Sequence, residues 1–219
     1  MIKYWTIVFG VSILGCEAPS KKEDSRVDQL PYYNEATFTP VWFETENEVP
    51  DDFHQIPSFS LVNQSGDSIS EKDVDGKIFE ADFFFTSCPG ICPKMTSNML
   101  LVQDAFLDTE NVVLLSHSVT PEYDSIPILK SYAEEKGVVK GKWHLLTGNR
   151  EEIYDLGRNQ YFVEEDLGLE KDPNDFIHTE NFVLLDGSRR IRGIYNGLNK
   201  TAINQLITDI KILKKSNSL

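Results

Sequence analysis

Apolar and polar positions along the chain mark out a succession of short elements beginning near Phe53. Phe59-Ser60-Leu61-Val62 and Ser68-Ile69-Ser70 flank a Gly66-Asp67 turn, the pattern of a short hairpin. Ile78 to Thr86 is a nearly continuous apolar run rich in phenylalanine, as a strand covered on both faces requires. From Pro93 to Leu107 the apolar residues Met95, Met99, Val102 and Phe106 recur every three or four positions, which predicts a helix. Val112 to Val119 predicts a second buried strand, and Ile126 to Lys136 a second helix closed by Gly137. Trp143 to Leu146 predicts a short strand, and Asn149 caps a helix running through Leu156. An acidic, aromatic insertion from Asn159 to Ile177 follows. Phe182 to Leu185 and Ile191 to Tyr195 then predict a hairpin across Asp186-Gly187, and a last helix from Thr201 to Lys215 carries Ile203, Leu206, Ile207, Ile210 and Leu213 on one face. Strand and helix alternate and a hairpin and helix close the chain, so the expected fold is α/β: a thioredoxin-like mixed sheet flanked by helices, with an N-terminal hairpin and an insertion before the last hairpin.

The N-terminus has a different pattern. Lys3 precedes an apolar run from Tyr4 to Leu14, too short for a membrane-spanning helix, which needs about 20 apolar residues. It has the anatomy of a secretory signal. Ile13-Leu14-Gly15-Cys16 resembles the bacterial lipobox, whose cysteine carries the lipid after cleavage; the competing reading is a buried helix with an incidental cysteine. The expected organisation is a signal peptide over residues 1–15, a tether from a lipidated Cys16 over residues 16–50, and one domain over residues 51–219. The tether would reach on the order of 110 Å if fully extended. Val41-Trp42-Phe43 is expected to pack on the domain and shorten that reach. This places the head domain outside the cytoplasm, on the membrane of a bacterial cell envelope.

Charge narrows the partners. A formal net charge of -14 argues against nucleic acid, whose binding requires basic surface. Lipidation of Cys16 would leave two of the three cysteines, Cys88 and Cys92, and a single close pair in an exported protein is a chemical feature rather than a disulfide scaffold. The pair follows directly on the first central strand, at the carboxyl edge of the expected sheet, where ligand sites of open α/β folds gather. Pro93 suits a first helical position, so Cys88 to Cys92 forms a loop feeding a helix, and a helix N-terminus favours thiolates. The C-x-x-x-C spacing by itself also admits an incidental disulfide. Thioredoxin-type redox pairs have two intervening residues rather than three, and a structural zinc site would want four ligands. Two sulfurs and one imidazole suit copper. Of the four histidines, His54, His117 and His144 lie in the entry segment or in strand patterns and read as structural. His178 ends the insertion, on a loop able to fold over the cysteines.

The segment Phe83-Phe84-Phe85-Thr86-Ser87-Cys88-Pro89-Gly90-Ile91-Cys92-Pro93-Lys94-Met95 resembles the signature of the Sco/SenC family. Ser118 to Pro127, Trp143 to Gly148, and His178-Thr179 followed by Phe182 to Gly187 resemble that family's later blocks, in the same order. The resemblance implies a thioredoxin-like fold that binds one copper through Cys88, Cys92 and His178. It also implies delivery of copper to, or reduction of cysteines in, the binuclear copper centre of cytochrome c oxidase subunit II. Thr120 departs from the family's usual aspartate before Pro121, and the residues before His178 also depart from the pattern. The expected role is a copper-binding metallochaperone. The alternative is an enzyme, a thiol-disulfide oxidoreductase using Cys88 and Cys92 without metal. A copper-sensing regulator finds no further domain here to transmit a signal.

Overall fold

The computed structural model describes residues 29–163, 177 and 179–216. Seven strands form one mixed sheet: β1 (Ser60–Asn63), β2 (Ser68–Ser70), β3 (Ile78–Phe84), β4 (Val112–Ser118), β5 (Trp143–Thr147), β6 (Asn181–Leu185) and β7 (Ile191–Asn196). Their spatial order is β2-β1-β5-β4-β3-β6-β7. β3, β4 and β5 are parallel, which demands crossovers; α2 (Cys92–Ala105) and α3 (Ile126–Lys136) supply them. The hairpins β1-β2 and β6-β7 extend the sheet antiparallel on either side. The remaining helices are α1 (Glu71–Val74), α4 (Arg150–Asp155) and α5 (Lys200–Ser216).

Because side chains alternate across a strand, β3 serves two apolar groups. Phe79, Ala81 and Phe83 join Leu61, Val113, Leu115 and Tyr161 on one face. Ile78 and Phe84 join Met95, Met99 and Val102 of α2 and Ile203, Leu206 and Ile210 of α5 on the other. All seven residues of β3 are buried, which is why it reads as a continuous run. Two of them, Glu80 and Asp82, are nevertheless acids. Helix ends follow local chemistry. Gly137 closes α3 at φ 79°, a left-handed conformation that a Cβ would strain, and the Asn149 side chain accepts the Glu152 N–H at 3.0 Å to cap α4. After α4 the chain makes a π-helical turn over Leu156–Gln160, so the first residues of the expected insertion continue a helix.

The tether expected over residues 16–50 does not match its second half. Leu30, Tyr32 and Val49 are buried, Tyr32 pairs with Val41, and Tyr33 pairs with Ile191 of β7. Tyr32, Phe43 and Phe53 meet edge to face. The cause is Arg192, a buried cation on β7 that must be satisfied. It pairs with Asp186 at 3.0 Å, donates to the carbonyls of Leu30 (2.7 Å) and Pro31 (3.0 Å), and lies 3.6 Å above the Tyr32 ring. The packed chain therefore includes Leu30 to Val49, N-terminal of the boundary expected at residue 51. Within Val41-Trp42-Phe43, Val41 and Phe43 pack against this group, while Trp42 is 54% exposed. Cys16 and the signal expected over residues 1–15 lie outside the described residues, as does most of the insertion expected over residues 159–177. Among the described residues no helix is long and apolar enough to cross a membrane.

Candidate metal centre

β3 ends at Phe84, and α2 begins at Cys92 with Pro93 in its first turn. Between them the chain turns over Cys88-Pro89-Gly90-Ile91, opened by a hydrogen bond from Cys88 N–H to the Phe85 carbonyl (3.3 Å). The Ile91 carbonyl accepts from the N–H groups of Lys94 (2.9 Å) and Met95 (3.0 Å), so helical pairing starts one residue ahead of Cys92. Both cysteines are free thiols. Cys88 is partly exposed at the rim, and Cys92 is 4% exposed among the side chains beneath α2.

The two thiols share a hydrogen bond and differ in acidity. Burial alone would raise Cys88, but hydrogen bonds from the Cys92 thiol and from the N–H groups of Cys92, Gly90 and Ile91 outweigh it and lower its pKa. Cys92 is pushed up to about 12, first by burial and then by its hydrogen bond to Cys88. Tyr132 of α3 is also pushed up to about 12, chiefly by burial, and bonds Thr96 of α2 at 2.8 Å. The pair thus offers one accessible thiolate-forming sulfur and one buried sulfur. Two deprotonated sulfurs on one short loop form a soft donor set, and a proton-bearing Cys92 needs a metal or a disulfide bond to displace that proton.

The three described histidines each have a partner away from the thiols. His54 Nε2 bonds the Gln160 carbonyl (2.7 Å), and His144 Nδ1 meets Asn63 Nδ2 (3.1 Å). His117 is wholly buried, stacked on Phe83 at 4.9 Å, with Nδ1 on the Asp82 carbonyl (3.2 Å); burial pushes it down to about 4. Among the described residues no three His, Cys, Asp or Glu side chains cluster as a metal site. His178 lies outside those residues. Its neighbours Ile177 and Thr179 are both buried, and Ile177 belongs to the same apolar group as Phe83.

Three acids around the site escape a reading by hydrophobic pattern. Glu80 and Asp82 project from β3 onto the face covered by α2. Burial raises Glu80 well above the usual carboxyl range, with Asp82 adding to the effect, and raises Asp82 to about 7, partly offset by a hydrogen bond with Ser116. Neither Glu80 oxygen nor Asp82 Oδ1 has a partner among the described residues. Their signal in the sequence is two acids at i, i+2 inside an apolar run, which puts both on one face. The third is Asp124, 1% exposed in the loop between β4 and α3. Thr120 donates to it, so the residue that departs from the Sco/SenC pattern serves as a hydrogen-bond donor.

Comparison with known proteins places these features in a family. The SCO1/SenC family model matches residues 47–214. The SCO1 protein homolog of Bacillus subtilis (strain 168) is 31% identical over 163 residues, 72% of this chain and 82% of that protein. The structure of a SCO1/SenC family lipoprotein from Bacillus anthracis str. Ames superimposes with a TM-score of 0.64 at 30% identity, covering 76% of this chain and 98% of that one. BsSco, a member of the Sco family of cytochrome c oxidase assembly proteins with an identified disulfide switch, superimposes at 0.62 with 29% identity, covering 76% and 95%. Arabidopsis thaliana ScoI with copper bound gives 0.55 at 25% identity, covering 71% and 98%. With the family model spanning the sheet and the thiol loop alike, and a thioredoxin-like fold common to these structures, the chain belongs to the SCO1/SenC family.

Proposed function

We propose that this protein is a metallochaperone that binds one copper ion through Cys88, Cys92 and His178 and delivers it to the binuclear copper centre of cytochrome c oxidase subunit II. The observation that carries the reading is the pair of free thiols at the strand–helix junction, one accessible and one buried, in a family with copper-bound members. His178 is proposed as the third ligand because it stands in the block that resembles the family's histidine-bearing segment, while His54, His117 and His144 are each engaged elsewhere. A lipid on Cys16 would hold the head at the outer surface of a bacterial membrane; the similar Bacillus anthracis protein is a lipoprotein.

A second reading is favoured by one observation, the unequal acidity of the two thiols. A lowered, accessible Cys88 beside a buried Cys92 is also the arrangement of a thiol-disulfide oxidoreductase, in which the first sulfur attacks and the second resolves. The two readings separate at His178. Native mass spectrometry of the reduced protein should find one Cu(I) per chain, with Cys88→Ser and Cys92→Ser each losing most of the affinity. His178→Ala should lose tight copper binding while keeping dithiol exchange. Two equivalent copper ions, or a preference for zinc, would count decisively against the site. Cytochrome c oxidase assembled normally under copper limitation in cells carrying only the His178 variant would favour the enzyme.

A further inference from the structure

We propose that Asp124 is the positioning residue of the thiol pair, holding the end of β3 so that Cys88 is presented at one fixed place; this rests on the copper reading above. The β3–β4 ladder ends at the Phe84–Ser118 pair, with the Val119 N–H on the Phe84 carbonyl at 2.9 Å. Beyond that point β3 has no strand partner. The Asp124 carboxyl group takes its place. Oδ2 accepts the Thr86 N–H at 3.2 Å, and Oδ1 accepts the Thr86 hydroxyl at 2.5 Å. Oδ2 also accepts the hydroxyls of Ser118 (2.6 Å) and Thr120 (3.1 Å). Four donors thus converge on one carboxyl group that solvent hardly reaches.

The loop carrying Asp124 is itself braced. The N–H groups of Tyr123 and Asp124 both donate to the Thr120 carbonyl at 2.9 Å, and the Thr120 N–H donates to the Ser118 hydroxyl at 3.2 Å. Asp124 is therefore a rigid anchor rather than a mobile arm. It grips Thr86 by backbone and side chain together, and Thr86 stands two residues before Cys88. The residue between them, Ser87, is exposed, and the turn opens with the single backbone bond from Cys88 to Phe85. The register of the first sulfur is thus inherited from Thr86. A metal bound by few ligands loses affinity steeply when one donor is displaced by a fraction of an ångström, so the clamp on Thr86 sets how well the two sulfurs meet one ion.

Asparagine has the shape of aspartate but replaces one acceptor oxygen with an NH₂ group, which cannot accept the hydrogen bonds now converging there. The test is competition for Cu(I) between a chromogenic chelator and the reduced full chain in detergent. Three variants are compared with wild type: Asp124→Asn, Thr86→Val, and Val74→Ala as a core substitution on α1, in the apolar group on the opposite face of the sheet from α2. Asp124→Asn is expected to weaken Cu(I) binding at least tenfold and Thr86→Val to weaken it in the same direction, while Val74→Ala lowers the unfolding midpoint without changing affinity. Should Asp124→Asn fail to fold, Thr86→Val decides alone. Wild-type affinity in the folded Asp124 and Thr86 variants overturns the proposal, as does an equal loss in Val74→Ala, which would make the effect one of general stability. A wild-type protein that binds no copper instead sinks the copper reading itself.

Discussion

A buried carboxylic acid whose oxygens are not all hydrogen-bonded is held neutral by the cost of burying its charge, and Asp82, with Oδ1 unpaired, is such a group. Its pKa rises from 3.8 to about 7, so the folded state holds a proton that the unfolded chain has released across that window. The folded state binds more protons there, and its contribution is therefore greatest at low pH and is lost as pH climbs toward 7. His117 has the opposite sign: lowered from 6.5 to about 4, it remains neutral when folded, and its contribution is lost as pH falls from 6.5 to 4. The two slopes oppose each other between about 4 and 6.5. Asp82→Asn removes the first, and stability should then rise with pH to a plateau. The variant should exceed wild type at pH 8 by up to about 4 kcal/mol and approach it near pH 4. Urea unfolding at the two pH values checks this, and an equal difference at both would mean that Asp82 is already ionised in the fold.

Elements carry the site as much as residues do. α2 begins at one of the two sulfurs, so anything that shifts this helix shifts Cys92. Its apolar face rests on β3 and α5, and one polar contact ties it to the chain entering α5: Asn98 Nδ2 donates to the buried Gly197 carbonyl at 2.6 Å. Removing the amide leaves that carbonyl unpaired. Asn98→Ala should therefore cost about 1–3 kcal/mol, read from the shift of the denaturant midpoint at unchanged slope. A midpoint within experimental error of wild type would mean that the packing of α2 alone fixes its place. The Met95, Met99, Val102 and Phe106 stripe predicted for this helix is wholly buried, so its orientation was legible in the spacing. Its first residue was not, because Pro93 suits more than one position in a helix's first turn, and the turn before it set the start at Cys92.

For the molecule as a whole, the boundary expected at residue 51 moves, because Leu30 to Val49 packs on the domain. The tether expected to residue 50, on the order of 110 Å at full extension, cannot include residues 30–49 as free chain. The same boundary governs stability. Compared with a chain starting at Gln29, one starting at Pro50 loses the burial of Leu30, Tyr32 and Val49 and the bonds of the Leu30 and Pro31 carbonyls to Arg192, and should be less stable by about 3 kcal/mol or more. Equal midpoints for the two chains would show that residues 29–49 do not stabilise the fold.

Local pattern was enough to determine much of this protein. Apolar runs, alternation and a period of 3.6 marked the seven strands and the three longest helices, because a face turned to the core must be apolar at the period of its own backbone and a strand covered on both faces is apolar almost throughout. The Cys88–Cys92 loop was legible for a similar reason: its thiols, its glycine and its proline act within one turn of chain. Tertiary structure decided what depends on residues far apart. Leu30 to Val49 reads as a polar and aromatic leader until Arg192, some 160 positions later, requires its carbonyls and a ring. Glu80 and Asp82 vanish into an apolar average, and only the covering of that face by α2 makes them buried acids. Asp124 carries no signal of its own in the sequence, and it becomes an anchor only because the parallel β3–β4 ladder brings Thr86 within reach. Sequence spacing records the needs of one element, whereas desolvation and hydrogen-bond satisfaction are settled between elements, where the chain itself has no period to show.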